Sequence, residues 1–489
     1  MRRLEYKWLV ATTFVFGLVM QILDLTVLNV ALATLGREFD ADPGTLQWVL
    51  TGYMVSLAVF IPASGWLSDR FGSKRTFQLA VITFTAASVL CGLATNIEML
   101  IAARVLQGIG GGMLVPVGQA MLYRAFPPYE RAKASAVLII PTTVAPALGP
   151  LLGGFLVDFA SWRWIFFLNV PVGSLALLFT VLFLREEIQD RPGRFDLPGF
   201  VLAGAGLAIL LVALDRGAQD GWGGAHVWGS LIAAAGLVAA LIWRELAVDE
   251  PMLDLRLLRD RIFASGNMVL LCATGGMFGV FFLLPLYLQT LRGLSALEAG
   301  IVLMPQALGM VATSQVTSRL YPRVGPRRLL LSGLAISGAV SLSLWFVALS
   351  TPVWVVACLT FLMGVGMGTT MIPLGAASFA RIGAPDMGRA TSLFNVSRQV
   401  ATAAGVAVLA TVLVSRTRAE IADLGATASA AARAQAQLDA YHTSFLAALG
   451  FAVLGIIVAS FIRDTDAAPS MRRGGGSGEA TAREPAGVG

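Results

Sequence analysis

Three charged residues lie deep inside long apolar segments of this chain of 489 residues: Asp24, Arg104 and Arg398. A charge at the centre of a membrane costs about 2.5–3.5 kcal/mol on insertion scales, so such a group normally faces a partner or a cavity. The proton affinity of a carboxylate depends on its burial and on nearby cations, and both change when a cavity opens or closes. Asp24 is therefore the candidate for a group that takes up and releases protons. A structural ion pair that locks helices together is the alternative.

The sequence contains few residues that could support metal binding, nucleophilic catalysis or ATP hydrolysis. The cysteines, Cys91, Cys272 and Cys358, lie far apart in apolar runs and have neither disulfide nor metal-ligand spacing. The two histidines, His226 and His442, lie near the ends of apolar segments. No glycine-rich loop precedes a Lys-Ser or Lys-Thr pair, so the sequence has no ATPase motif of that kind. We expect no enzymatic activity and no metal or organic cofactor, with a proton gradient as the source of energy.

The composition and the length of the apolar segments predict a membrane protein. Charged residues make up 13% of the chain, whereas soluble proteins carry about 25%. Fourteen segments are long enough to cross about 30 Å of hydrocarbon as helices. These spans are 8–32, 46–67, 77–95, 99–122, 134–157, 165–184, 197–214, 227–246, 263–288, 300–317, 329–349, 353–379, 391–414 and 445–462. A very apolar soluble enzyme is the alternative, and its core would not need so many long spans.

The lysines and arginines predict the orientation of these spans. With the N-terminus inside, the loops after the even-numbered spans and both termini carry most of the 35 basic residues, and the opposite loops carry seven. Basic residues concentrate on the cytoplasmic side of membrane proteins, and one miscounted span would destroy this bias. We therefore predict an all-α integral membrane protein with 14 transmembrane helices and both termini in the cytoplasm. The net charge of +6 then reflects topology, and no nucleic acid partner is expected.

A repeated loop divides the chain into two halves. Residues 65–75 after span 2 recur as residues 318–328 after span 10, with Leu, Arg, Gly and Arg at matching positions. Spans 1–6 and 9–14 then form parallel repeats around a central cavity, and spans 7 and 8 are inserted between them. We predict a first six-helix bundle at residues 1–190, an inserted two-helix segment at 191–261, a second six-helix bundle at 262–463 and a disordered cytoplasmic tail at 464–489.

Depth in the membrane predicts which of the buried charges can meet. At 1.5 Å per residue, Asp24 lies ~12 Å below the outer end of span 1, and Arg104 lies ~8 Å below the outer end of span 4. Arg398 lies ~10 Å from the inner end of span 13 instead. We expect Asp24 and Arg104 to form the proton-coupling pair.

Six short motifs, in order along the chain, resemble those of the fourteen-helix drug:proton antiporters of the major facilitator superfamily, the quaternary-ammonium and multidrug resistance type. They are residues 23–32 on span 1, the loop 65–75, residues 104–112 on span 4, 149–154 on span 5, 162–173 at the start of span 6, and Asn395 with Arg398 and Gln399 on span 13. The resemblance covers essentially the whole chain. It implies two six-helix bundles of the major facilitator fold plus two inserted helices.

The loop after span 2 is expected to act as a conformational latch. Its members are Gly65, Asp69, Arg70, Gly72 and Arg75. The glycines permit a tight turn, and the Asp69 carboxylate can interact with the N-terminus of span 13 through the helix dipole. A generic cytoplasmic loop is the alternative.

The span-5 motif is expected to form a seal near the outer surface. Gly149, Gly153 and Gly154 allow a neighbouring helix to approach closely, and Pro150 bends the helix. Packing alone is the alternative.

The cavity wall is predicted from soft, flat and amide side chains of the kind that promiscuous sites use. The candidates are Met20, Gln21, Asn29, Trp48, Tyr53, Gln107, Phe278, Phe282, Met304, Asn395, Arg398 and Gln399. Contact with lipid or with neighbouring helices is the alternative for each of the aromatic and methionine residues.

The favoured hypothesis is proton-coupled multidrug efflux across the bacterial cytoplasmic (inner) membrane by alternating access, a function associated with antibiotic resistance. The expected partners are an amphiphilic small molecule, protons, the lipid bilayer and a periplasmic adaptor protein. One alternative is an exporter dedicated to one native lipid, siderophore or antibiotic. Another, of a different class, is a non-transporting membrane receptor or scaffold.

Overall fold

Long helices cover every apolar segment predicted from the sequence. The computed structural model describes residues 5–186, 188, 193–220, 222–424 and 429–471. The long helices are α1 Tyr6–Glu38, α2 Pro43–Phe71, α3 Ser73–Gly92, α4 Ile97–Ala125, α5 Arg131–Phe159, α6 in two segments Arg163–Phe167 and Asn169–Phe183, α7 Leu197–Asp220, α8 Ala225–Ala247, α9 Arg261–Leu286, α10 Ala296–Val324, α11 Pro326–Leu344, α12 Val353–Ser378, α13 Met387–Leu424 and α14 Ala430–Ser460. A last short helix, α15, spans Ala468–Met471.

The lengths of these helices agree with a multi-pass membrane protein. Within the described residues, 13 helical stretches are long and apolar enough to cross a membrane, judged by length and composition. Helix α5, of 29 residues, covers the remaining predicted span and completes the set of fourteen. The predicted all-α fold is therefore confirmed.

Two helices extend further on the outer side than their apolar spans. Helix α13 has 38 residues and α14 has 31, and their added turns come from the alanine-rich stretch between the last two spans. Alanine is the strongest helix former, so these turns stay helical beyond the apolar part of each span.

Polar residues next to the apolar runs explain where several helices begin. Asp42 and Asn96 accept hydrogen bonds from backbone amides in the first turns of α2 and α4. Ser295 and Glu298 form a reciprocal capping box at the start of α10. Such caps satisfy amides that the helix itself leaves unpaired.

The repeated loop has the same construction in both halves. Gly72 and Gly325 adopt positive φ values of 91° and 85°, a conformation that glycine accepts without a steric penalty. The next helix begins directly after each glycine. In each case a carboxylate accepts a hydrogen bond from a backbone amide in the first turn of that helix. Glu186 does so at α3 (3.1 Å), and Asp464 does so at α11 (3.0 Å).

The helices pack in two groups with an inserted pair. Helices α1 to α6 pack in one group and α9 to α14 in another, while α7 and α8 pack together and α7 also contacts α2 and α13. This arrangement agrees with two bundles joined by an inserted segment. The residue boundaries of the domains, at 190/191, 261/262 and 463/464, remain predictions.

The two bundles meet near their cytoplasmic ends. Ser64 on α2 and Ser392 on α13 are 2.9 Å apart at their hydroxyls, and Arg131 on α5 donates to the Phe379 carbonyl after α12. Arg124 on α4 donates to the Ala384 carbonyl, and Asn395 on α13 donates to Gln119 on α4, on the same side. This conformation is closed to the cytoplasm.

The start of the C-terminal tail differs from the prediction of disorder. Residues 464–471 are ordered: Asp466 forms an ion pair with Arg381 (2.8 Å), and the Ser470 hydroxyl is 2.6 Å from that of Tyr321. Helix α15 also contacts the short 3-10 helix at residues 128–130, which belongs to the first bundle. The expectation of disorder is wrong for these residues because their polar side chains find partners on the bundles. Residues 472–489 lie outside the described residues.

A disulfide should form across the closed cytoplasmic side. In a background with the native cysteines replaced by alanine, we expect Ser64→Cys with Ser392→Cys to cross-link on mild oxidation, because the two hydroxyls are 2.9 Å apart and a disulfide needs nearby Cβ atoms. Mass spectrometry of the oxidised protein measures the cross-linked fraction. Ser64→Cys with Ser415→Cys is the control, since Ser415 lies ~34 Å further along α13. Equal cross-linking of both pairs, or none of the first, would contradict the closed arrangement.

Candidate functional site

Asp24 and Arg104 form a buried ion pair between α1 and α4. The Arg104 Nη1 atom lies 2.5 Å from the Asp24 Oδ2 atom, and the two residues are 0% and 1% exposed. The proximity that depth in the membrane predicts is therefore confirmed. Its role in proton coupling remains a prediction.

Two amide side chains complete the coordination of the carboxylate. Gln107 donates to Asp24 Oδ1 over 2.8 Å, and Asn169 on α6 donates to the same oxygen over 3.0 Å. Asn169 also donates to Ser88 on α3 over 2.9 Å. Asp24 on α1 is thus bonded directly to α4 and α6 and reaches α3 through Asn169, and each oxygen of its carboxylate is hydrogen-bonded. A buried ion pair is stable only when such additional bonds replace the lost water.

Arg104 is held by the neighbouring helix α2. Its Nε atom donates to the Val49 carbonyl over 3.1 Å, and Nη1 also donates to Gln107 Oε1 over 2.6 Å. The guanidinium lies over the ring of Tyr53, 4.3 Å from its centroid. The ring face attracts a cation, and more strongly where water is excluded. The arginine is therefore fixed on several sides.

Glycines on α4 bring α2 close enough to make these contacts. A Cβ atom at Gly108 would lie 2.5 Å from the Tyr53 carbonyl oxygen, and one at Gly112 would lie 2.5 Å from the Leu57 carbonyl oxygen. A larger residue at either position would push α2 away from Arg104. The glycines of the span-4 motif thus position the arginine that begins the motif.

The arrangement can hold or release a proton only after a conformational change. Asp24 is sealed from solvent here, so a proton reaches it only when α1 and α4 open a path. Within the described residues, no group of three or more His, Cys, Asp or Glu side chains could hold a metal ion. The ion pair is the chemically distinctive group of the first bundle.

The span-5 motif contacts α1 at one glycine. A Cβ atom at Gly149 would overlap the Thr26 hydroxyl oxygen, so this glycine permits the close approach of α1 and α5. Gly153 is buried, but a Cβ atom at Gly154 would meet nothing within 4 Å. The expectation of a close approach is therefore wrong at Gly154, which faces open space. The side chain of Pro150 lies outside the described part of the structure.

The loop after α2 reaches the start of α13. The Asp69 Oδ1 atom would lie 3.1 Å from a Cβ atom built at Gly388, in the first turn of α13. Asp69 accepts from Arg124 over 3.1 Å, and Arg124 also donates to the Ala384 carbonyl over 3.0 Å. A Cβ atom at Gly65 would lie 3.0 Å from the Gly388 carbonyl oxygen. The geometry that a latch requires is present, and the latch function remains a prediction.

The basic residues of this loop have different surroundings. Arg70 is exposed. Arg75 is also largely exposed and lies 3.6 Å from Glu186 at its Nε atom. A Cβ atom at Gly72 would overlap the Glu186 carboxylate, so a larger residue would displace the group that caps α3.

The predicted cavity residues separate into buried and exposed groups. Met20, Gln21, Tyr53, Gln107 and Asn395 are buried, Phe278 and Gln399 are half-buried, and Trp48, Phe282, Met304 and Arg398 are exposed. The side chain of Asn29 lies outside the described residues.

Three of the buried residues do not lie on an open wall as the sequence analysis expected. Gln107 and Tyr53 contact the ion pair, and Met20 packs between α1 and α3, where its sulfur accepts from Thr85 over 3.8 Å. Asn395 instead crosses between the bundles and donates to Gln119 on α4 over 2.8 Å.

Several residues that hold the site were missed by the sequence analysis. Asn169 and Ser88 support the carboxylate, and Arg124 and Glu186 support the cytoplasmic loop. Asn169 stands in the span-6 motif, so that motif could have identified it. Arg124 and Glu186 lie at the ends of spans, where charged residues are common and carry no signal of their own.

Comparisons with known sequences agree with this arrangement. The sequence model of the family described as the Major Facilitator Superfamily matches residues 14–406. The multidrug resistance protein B homolog of Mycobacterium tuberculosis (strain H37Rv) is 34% identical over 403 residues, which are 82% of this chain and 75% of the relative. The putative multidrug resistance protein MdtD of Klebsiella pneumoniae (strain MGH 78578) is 37% identical over 359 residues, 73% of this chain and 75% of the relative.

Comparisons with solved structures concern the fold. The human organic anion transporter MFSD10 (TETRAN) aligns with a TM-score of 0.67 at 17% identity, covering 93% of this chain and 99% of its own. The proton:xylose symporter XylE aligns with a TM-score of 0.59 at 15% identity, and the alignment covers 93% of this chain and 95% of the symporter. At these identities the likeness establishes the major facilitator fold, as predicted.

Substitution of the span-5 glycines should have unequal effects. We expect Gly149→Ala to destabilise the protein by about 1–3 kcal/mol, the usual range for an overpacked contact, because its methyl group would overlap the Thr26 hydroxyl. Thermal unfolding in detergent measures the change in Tm. Gly154→Ala is the matched control and should leave Tm unchanged. A similar loss in both variants would argue against the α1–α5 contact.

Proposed function

The chain belongs to the major facilitator superfamily, and we propose that it is a proton-coupled antiporter that exports amphiphilic or hydrophobic small molecules from the bacterial cytoplasm. Members of the superfamily are transporters and not enzymes, which confirms the prediction that the chain catalyses no reaction. The observation that carries the proposal is the sealed Asp24–Arg104 ion pair, with Asp24 0% exposed at its side chain. A carboxylate that is buried, paired and mid-membrane is the group that a proton can switch.

Protonation of Asp24 changes how α1 is held. The ionised carboxylate accepts from Arg104, Gln107 and Asn169. A protonated carboxyl group interacts more weakly with these donors, because hydrogen bonds to a charged acceptor are roughly twice as strong as neutral ones. Uptake of a proton therefore loosens α1 from α4 and α6. Loss of the proton restores the network and the conformation described here.

The contacts between the two bundles on the cytoplasmic side must break in the other half of the transport cycle. Opening toward the cytoplasm requires the Ser64–Ser392 contact to break and Asp69 to leave the start of α13. These contacts join side chains and loops of the two bundles and lie outside the hydrogen bonds within each helix, so the two bundles can separate without unfolding either of them. Protons that enter down their gradient then drive the exchange of substrate by alternating access.

The substrate class is proposed from the relatives and from the chain. The relatives carry the name multidrug resistance protein, which supports export of several small molecules across the cytoplasmic membrane. Growth assays with a panel of chemically unrelated drugs test this breadth. Resistance to a single compound would favour an exporter dedicated to one native product. Absence of any flux in vesicles would favour a non-transporting receptor or scaffold.

Replacement of the coupling carboxylate should separate proton coupling from transport. We expect Asp24→Asn to abolish substrate accumulation driven by an imposed pH gradient in proteoliposomes, because the amide has no titratable proton. Downhill exchange of substrate should persist, because the amide keeps the size of the side chain and its ability to accept a hydrogen bond. Transport of a fluorescent substrate with and without the gradient measures both.

A carboxylate outside the network serves as the control. Glu98 is exposed in the first turn of α4, and Glu98→Gln should leave gradient-driven accumulation intact. Size-exclusion chromatography checks that both variants fold. Undiminished gradient-driven accumulation in Asp24→Asn would refute the role of Asp24 as the proton carrier.

A further inference from the structure

Arg398 faces the space between the two bundles. On α13, Asn395 points to Gln119 of α4, and Gly405 packs against Gly275 of α9. Arg398 follows Asn395 by three residues and precedes Gly405 by seven. At 3.6 residues per turn, it therefore lies on the face of α13 between the sides that contact α4 and α9. Its side chain is exposed. Because this face of α13 is turned toward the other bundle, the exposure is to the space between the bundles.

The guanidinium of Arg398 has no counter-charge. Among the described residues, it makes no hydrogen bond or ion pair, and the one carboxylate deep in the described spans, Asp24, is already bound to Arg104. Arginine stays charged in proteins, and a charge at this depth is costly without water or an anion. The N–H donors of the Arg398 guanidinium are therefore available to a molecule that enters the space between the bundles.

An apolar wall lies on the outer side of Arg398. Helix α9 packs against α13 through Gly275 and against α14 through Gly276, and it also contacts α12. Phe278 and Phe282 follow Gly275 by three and seven residues, so both lie within about 60° of the face that packs against α13. Phe278 is half-buried and Phe282 is exposed. Phe278 lies ~15 Å further outward than Arg398, because Arg398 is seven residues below Gly405 and Phe278 is three residues above Gly275, at 1.5 Å per residue.

We propose that Arg398 binds the acidic headgroup of an amphiphilic substrate, a carboxylate, sulfonate or phosphate, while Phe278 and Phe282 contact its apolar portion. This inference rests on the proposed export function and names its substrate class. The planar guanidinium matches such anions with two parallel hydrogen bonds. Since the Asp24–Arg104 pair is neutral overall and sealed, the uncompensated charge deep in the described spans is the positive charge of Arg398. Quaternary-ammonium compounds are therefore repelled.

Binding of a matched set of fluorescent amphiphiles tests the assignment. The probes are a dansylated medium-chain fatty acid, its methyl ester and an analogue with a quaternary ammonium headgroup. Titration of the purified protein in detergent, without a proton gradient, gives a Kd for each. We expect the acid to bind most tightly. Arg398→Gln should weaken acid binding about 10- to 100-fold, the range for hydrogen bonds to a charged group, and leave ester binding unchanged.

Two variants control for charge and for folding. Arg398→Lys keeps the charge without the fork and should retain part of the preference for the acid. Arg416→Gln removes an exposed arginine from the outer end of the same helix and should bind all three probes like the unmodified protein. An equal loss of acid and ester binding in Arg398→Gln, or no preference for the acid in the unmodified protein, would overturn the inference.

Failure of this inference and failure of the proposed function give different results. Acid-selective binding that depends on Arg398, combined with no gradient-driven flux in proteoliposomes, would refute proton-coupled export and retain the anion site. Gradient-driven flux of the ester and the cation that is unaffected by Arg398→Gln, without acid-selective binding, would refute the anion site and retain proton-coupled export.

Discussion

The cost of placing charge in a membrane interior governs the first bundle. Arg104 and Asp24 have no access to solvent, so their charges must be compensated entirely by protein. This demand explains why an amide from α6, a backbone carbonyl from α2 and an aromatic ring converge on one ion pair. The glycines of α4 follow from it as well, because they allow α2 to reach the arginine. Removal of any of these groups leaves a buried charge less well compensated, which is why the site links α1, α2, α4 and α6.

The proximity of Asp24 and Arg104 could be predicted because depth in the membrane depends on quantities that the sequence contains. Charges are rare in the spans and the helix rise is constant, so residue counting alone places Asp24 and Arg104 in one layer of the membrane. The cavity wall was harder to predict. Membrane helices are apolar all round, and no amphipathic stripe marks which face of α1 or α2 is turned inward. Met20 and Tyr53 were therefore assigned to an open wall, although they pack against α3 and Arg104.

The two halves share a backbone plan but not a charge distribution. The constant offset between the repeated loops carries Asp24 onto Met277 and Ser88 onto Ser341. In the second bundle these residues line a small cavity of about 30 Å³ together with Met363 and Met367. Thioethers fill irregular space without requiring a partner. The second bundle thus has no counterpart of the ion pair at this place, and a proton that acts on Asp24 changes the packing of one bundle directly.

The contrast between Arg104 and Arg398 suggests that the two arginines have different functions in transport. Both are arginines within membrane spans, but Arg104 has its charge matched by the protein and Arg398 does not. A matched charge responds to the protonation state of its partner, whereas an unmatched charge responds to what enters the cavity. Because Arg398 lies on α13, one turn beyond the Asn395–Gln119 contact between the bundles, an anion bound there would lie directly against the cytoplasmic closure. Substrate in the second bundle and proton in the first would then act on the same contacts from opposite sides, which is the coupling that exchange requires.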